Sequence, residues 1–138
     1  MKQQRTAPDP AAKRLRCLLV EDEHLAITMM VQLIRSRSEL LLVGIAKYQE
    51  QFFRKLDECD PDIVFLDIGI PPGSFGAYRQ VDLRKDAILI VVSGYRPEVY
   101  RPLLSHVRIL ELPKPVSRSS FHVMMDKIIQ LCKSDKAT

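Results

Sequence analysis

Apolar residues along the chain fall into two alternating patterns. Short continuous runs cover residues 15–20, 40–45, 61–67, 87–92 and 107–112, as in Cys17-Leu18-Leu19-Val20 and Ile63-Val64-Phe65-Leu66. Runs of this length, with no polar residue in every second place, read as strands buried on both faces. Between them the spacing changes to that of helices. Residues 24–35 carry Ile27, Met30, Val31 and Ile34 on one stripe, and residues 48–58 carry Tyr48, Phe52 and Leu56. A short amphipathic helix is expected over 75–84, with Tyr78 and Val81 inward. A weak one is expected over 97–105, where Pro97 suits a first turn and Pro102 limits the length. The last helix, 117–132, would bury Phe121, Met124, Ile128 and Leu131, with Ser117 or Ser119 as its cap.

Five strands alternating with helices make an α/β chain. Parallel strands need helical crossovers, and these are right-handed, so the expected architecture is a three-layer, doubly wound, five-stranded parallel sheet. At 138 residues this is one domain, over residues 15–132. Residues 1–14, with Pro8 and Pro10, read as a disordered basic tail, and 133–138 as a short second tail. In such a sheet every strand's carboxyl end lies on one edge, where open α/β folds place their chemistry.

Charge sharpens this only at the start of the chain. The net charge is +4, and residues 1–16 supply all of it through Lys2, Arg5, Lys13, Arg14 and Arg16 against Asp9. The balanced body has no nucleic-acid motif, so no nucleic-acid partner is expected. Cys17, Cys59 and Cys132 are odd in number and far apart, which suits reduced cysteines of a cytoplasmic protein and neither a disulfide framework nor a zinc site. No apolar run approaches membrane-spanning length, and the start lacks an apolar signal core, so no membrane is expected.

The chemistry sits at the strand ends. The first strand ends on Glu21-Asp22-Glu23, the third on Asp67, the fourth on Ser93, and the fifth just before Lys114. Taken singly, Asp22 or Glu23 could cap a helix, Asp67 and Ser93 could be turn residues, and Lys114 a solvated loop residue. Taken together they are a phosphoryl-handling set. Clustered carboxylates repel one another, and a hard divalent cation relieves the repulsion; all-oxygen ligands suit Mg²⁺. A lysine and a hydroxyl meet phosphoryl oxygens, and Asp67 can act as nucleophile to form an acyl phosphate.

This order of motifs resembles the receiver domain of two-component response regulators, of the CheY-like superfamily. Val20-Glu21-Asp22-Glu23 is similar to their acidic pair, Pro61-Asp62-Ile63-Val64-Phe65-Leu66-Asp67-Ile68 with Pro71 to their phosphoacceptor strand, Val92-Ser93-Gly94 to the strand ending in Thr or Ser, and Leu112-Pro113-Lys114-Pro115 to their lysine-proline motif. The resemblance implies the flavodoxin-like strand order 2-1-3-4-5. It implies that Asp67 takes a phosphoryl group from a sensor histidine kinase or phosphotransfer protein and switches contacts with a downstream protein target. It also implies that Glu21, Asp22, Asp67 and the Gly69 carbonyl hold Mg²⁺, that Lys114 pairs with the phosphoryl group, and that Ser93 senses it. Beyond slow self-phosphorylation and dephosphorylation no enzymatic turnover is implied.

Three departures mark the chain. The stretch from Asp67 to Ser93 is shorter than usual, so the third helix should be stunted. Glu111 stands where receivers carry an aromatic switch residue, and Ser93-Gly94-Tyr95 resembles part of the Phe-Ala-Thr-Gly-Tyr signature of an atypical single-domain receiver group. The expected relay therefore runs through Ser93, Gly94 and Tyr95 and the weak helix after them. Two alternatives fit parts of the same pattern: a pseudo-receiver that binds partners without phosphorylation, and an Asp-nucleophile phosphatase of the haloacid dehalogenase type. The second needs a carboxylic acid two residues after the nucleophile, where this chain has Gly69.

Overall fold

The computed structural model describes residues 13–73, 75–106 and 108–137. Strands β1 (Leu15–Val20), β2 (Leu40–Ala46), β3 (Ile63–Leu66), β4 (Ile88–Ser93) and β5 (Ile109–Pro113) form one parallel sheet in the order β2-β1-β3-β4-β5. Helices α1 (His24–Arg35), α2 (Gln49–Cys59), α3 (Pro97–Tyr100) and α4 (Arg118–Ala137) cover it, together with 3-10 segments at Phe75–Gln80 and Arg101–Leu103.

Strand alternation divides the apolar runs between two cores. Cys17, Leu19, Ile63, Phe65, Ile88, Ile90 and Val92 face α1 and α4, where they meet Met30, Leu33, Ile34, Phe121, Met125 and Ile128. Leu18, Val20, Val64, Leu66, Leu89 and Val91 face the other layer and pack on Phe52, Tyr78, Tyr100 and Leu104. Both faces of the central strands are thus apolar, which is why the runs show no polar alternation. The three cysteines form no disulfide, and burial pushes the Cys17 thiol up to about 12, keeping it neutral.

Several local expectations are corrected. Tyr48 is exposed, because it precedes α2 in extended conformation rather than lying on its buried stripe. Leu131 is exposed as well, and Met125 takes the fully buried place assigned to Met124, a one-residue rotation of the α4 stripe. The helix expected over 75–84 is a single 3-10 segment, and that over 97–105 is one α-turn followed by a 3-10 turn at Arg101-Pro102, where proline cannot continue the α-ladder. Helix α4 runs on to Ala137, through most of the expected second tail. Arg14, placed in the first tail, is anchored: its guanidinium donates to the carbonyls of Ser38 and Leu40. Residues 1–12 of that tail, Val107 at the expected start of β5, and Thr138 lie outside the described residues. Ser117 caps α4, its Oγ accepting from the Ser120 N–H at 3.0 Å.

Candidate functional site

Strand register carries the polar residues to one edge. Val20 pairs with Leu66, Leu66 with Val91, and Ser93 with Pro113, so the next residues of β1, β3 and β5 leave the sheet side by side. Backbone bonds continue the alignment past the strand ends: the Asp67 N–H donates to the Val20 carbonyl at 2.8 Å, and the Lys114 N–H to the Ser93 carbonyl at 3.3 Å.

Glu21, Asp22 and Asp67 each bring a carboxylate oxygen within 4.8 Å of the others. Glu21 is buried, Asp67 half-buried and Asp22 exposed. Glu21 Oε2 accepts the N–H groups of Asp22 (3.0 Å) and Glu23 (3.2 Å), which fixes the carboxylate at the strand end. Glu23 caps α1, accepting from the Ala26 N–H at 3.1 Å; of the two cap candidates it takes that role, which leaves Asp22 to the cluster.

Lys114 Nζ bridges the cluster, 2.6 Å from Glu21 Oε1 and 3.1 Å from Asp67 Oδ2. The pair does not shift its members in opposite directions, as an isolated ion pair would. Burial, the largest effect, raises the Glu21 carboxyl above its ordinary value; Lys114 lowers it, and the neighbouring Asp67 raises it again. For Lys114 burial favours the neutral form, but hydrogen bonds and charge from Glu21 and Asp67 outweigh it and the pKa is raised. One cation shared between two acids cannot neutralise both. The cluster is therefore short of positive charge, and its all-oxygen donors fit Mg²⁺.

Asp67 makes a tight local turn: its Oδ1 accepts the Gly69 N–H at 3.0 Å. The loop beyond is tied down by Tyr78, whose hydroxyl donates to the Ile68 carbonyl at 2.7 Å, and by the Gln49 N–H, which donates to the Pro71 carbonyl at 2.9 Å. Burial pushes the Tyr78 hydroxyl up to about 12, so it stays a donor.

Ser93 is buried at the end of β4, and its Oγ accepts the Tyr95 N–H at 2.9 Å, which leaves its own hydrogen to donate. Its described hydrogen bonds do not reach the carboxylates. Gly94 has open space around it, and Glu111 lies apart, its carboxylate bound to Arg101. The structure thus brings Glu21, Asp22, Asp67 and Lys114 together, sets Ser93 beside them, and ties Glu111 to the turn after α3. Two features had escaped the sequence. The bridging of both acids by Lys114 depends on side-chain reach, which no spacing encodes. The Phe75–Tyr95 ring contact, at 5.3 Å and 87°, joins segments with no common periodicity.

No protein-family model matches the chain. It is 26% identical over 129 residues to the sensory transduction protein LytT of Oceanobacillus iheyensis, covering 89% of this chain and 51% of that protein. It is 25% identical over 135 residues to a protein-glutamate methylesterase/protein-glutamine glutaminase of Symbiobacterium thermophilum, covering 94% of this chain and 37% of that protein. The chain therefore spans about half or less of these relatives' length. Among solved structures, the response regulator domain of Thermotoga maritima CheB superposes with a TM-score of 0.68 at 23% identity, over 86% of this chain and 96% of that one.

Proposed function

From this fold, which is that of a response-regulator receiver domain, we infer that the chain is a phosphoacceptor switch in a two-component or phosphorelay system. The observation that carries the inference is the Lys114 bridge: a lysine lies on the proposed nucleophile and on a buried acid of a three-carboxylate cluster.

Asp67 attacks the phosphorus of a phosphohistidine on a kinase or phosphotransfer protein. A P–O bond to the carboxylate forms, the P–N bond breaks, and the imidazole leaves with the electron pair and takes a proton. Lys114, already at Asp67 Oδ2, moves to a phosphoryl oxygen while retaining Glu21. Ser93 donates its free hydrogen to another phosphoryl oxygen while its oxygen goes on accepting the Tyr95 N–H, so the loop moves with the hydroxyl. Glu21, Asp22, Asp67 and the Gly69 carbonyl would hold Mg²⁺, which supplies charge neutralisation for the incoming phosphate. Ser93, Gly94 and Tyr95 carry the change toward α3, and Glu111 anchors the turn beyond it through Arg101. The altered surface then binds a downstream protein. The only chemistry of its own is slow phosphoryl uptake and loss. Among the described residues no helix is long and apolar enough to cross a membrane.

Incubation with Mg²⁺ and a small acyl-phosphate donor, followed by intact mass measurement, tests this reading. A phosphoryl adduct absent in Asp67→Asn is expected. Absence of both adduct and Mg²⁺ binding would make the chain a pseudo-receiver, and fast turnover of phosphate monoesters a phosphatase.

A further inference from the structure

Gly69 separates Asp67 from an aromatic ring by very little. A methyl group in place of its hydrogen would stand 3.5 Å from Asp67 Oδ1, 3.5 Å from Tyr95 Cε2 and 3.9 Å from the Tyr95 hydroxyl oxygen. Those are ordinary van der Waals distances, so the gap between the carboxylate and the ring is about one methyl group wide. Tyr95 is 50% exposed, so burial alone does not hold its ring there. Its backbone is held by Ser93 Oγ, and its ring by Phe75, which meets it edge-on. Phe75 is half-buried and packs against the core layer of Tyr78 and Tyr100. It opens the 3-10 segment that replaces a longer third helix, so the shortened connection delivers this ring to the mouth of the site.

We propose that Phe75 is a positioning residue that holds the Tyr95 ring across Gly69, and that the paired rings limit the access of water and small reagents to the Asp67 carboxylate. The consequence for phosphoryl lifetime rests on the phosphoacceptor reading above. In loss of the phosphoryl group, a water oxygen bonds to phosphorus and the P–O bond to Asp67 breaks. The electron pair stays on the carboxylate, inorganic phosphate leaves, and the water proton passes to phosphate or solvent. A ring beside the carboxylate restricts where that water stands. Phe75 touches none of the reacting atoms and acts only through Tyr95.

Two substitutions move this cover in opposite directions. Phe75→Ala removes the ring that holds Tyr95. Gly69→Ala fills the gap without a clash, since its contacts stay at or beyond 3.5 Å. The first readout needs no phosphate: coupling of a small amine to Asp67 with a water-soluble carbodiimide, resolved by peptide mass spectrometry. Labelling should rise by about threefold or more in Phe75→Ala, fall by a similar factor in Gly69→Ala, and stay near wild type in Phe75→Tyr. The second readout is loss of the phosphoryl adduct, which should follow the same order. A misfolded variant would only gain reactivity, so slowing in Gly69→Ala distinguishes a cover from damage. Equal labelling in all variants, or shifts of one sign in both, would overturn the proposal, as would an adduct lost at one rate throughout. If labelling follows the expected order but wild type accepts no phosphoryl group, the cover stands and the phosphoacceptor reading fails.

Discussion

Replacing Lys114 with methionine keeps the apolar stem and removes the charge between two acids. Its Nζ lies 2.6 Å from Glu21 Oε1 and 3.1 Å from Asp67 Oδ2. At an effective dielectric constant of about 20, each contact is worth on the order of 5 kcal/mol before desolvation is subtracted. Breaking a fully buried pair costs about 3–5 kcal/mol, because one charge stays behind unpaired. Glu21 meets that condition, with 3% of its side chain exposed, but Lys114 is 30% exposed, and water screens part of the interaction. A net loss of roughly 2 kcal/mol is therefore expected in urea unfolding with chelator present, with the slope m unchanged. Mg²⁺ in excess should recover much of the loss, since a dication in the acidic cluster does what the lysine no longer can. Glu21→Gln in the same background should also recover part of it, giving a coupling energy in the double-mutant cycle. Stability equal to wild type in chelator would refute the reasoning, because it would mean that the Lys114 charge is solvated and the acids are balanced without it.

Phe121→Ala opens a cavity in the α4 layer beside Phe65, whose ring lies 5.9 Å away; about 3–4 kcal/mol of stability should be lost in urea unfolding. Tyr78→Phe deletes the bond to the Ile68 carbonyl and should cost about 1–2 kcal/mol. With the Tyr78 hydroxyl raised to about 12, its contribution is fully present below the unfolded tyrosine pKa and is lost as pH rises toward the folded one; unfolding measured through that alkaline window should show a shallower decline in the variant. Arg37→Ala frees Glu39, Asp126 and His122, which its guanidinium holds near the start of β2 and on α4, and should cost about 1 kcal/mol. Burial pulls the Glu39 carboxyl up, but hydrogen bonding and charge from Arg37 outweigh it and leave it lowered. Its contribution is thus present above the unfolded carboxylate pKa and lost as pH falls through the folded one, and the variant should show a weaker acid-side decline in urea midpoint.

The layers of the fold were legible because period and burial agree: strands buried on both faces show as unbroken apolar runs, and α1 and α4 as helical stripes. The strand-end acids, hydroxyl and lysine were legible because a parallel sheet brings all carboxyl ends to one edge, whichever residues stand there. What the sequence hid lies where short elements meet. Phe75–Gln80 and Pro97–Leu103 are too brief for a period to register, and side-chain contacts such as Tyr78 to Ile68 and Arg101 to Glu111 tie them to the rest of the fold. Tyr48 sits on the expected α2 stripe by spacing, yet the helix begins one residue later and leaves it in solvent. In α4 the fully buried place passes from Met124 to Met125 within the cluster that holds Phe65 and Phe121, a choice that spacing within the helix does not specify.

Peptide-resolved mass spectrometry of the protein after exposure to a phosphohistidine donor and Mg²⁺ decides whether Asp67 is the phosphoryl acceptor. A single phosphoryl group is expected on the peptide containing Asp67, removed by hydroxylamine as an acyl phosphate is, and missing in Asp67→Asn. A phosphoryl group on any other residue, or one that persists in Asp67→Asn, would contradict it.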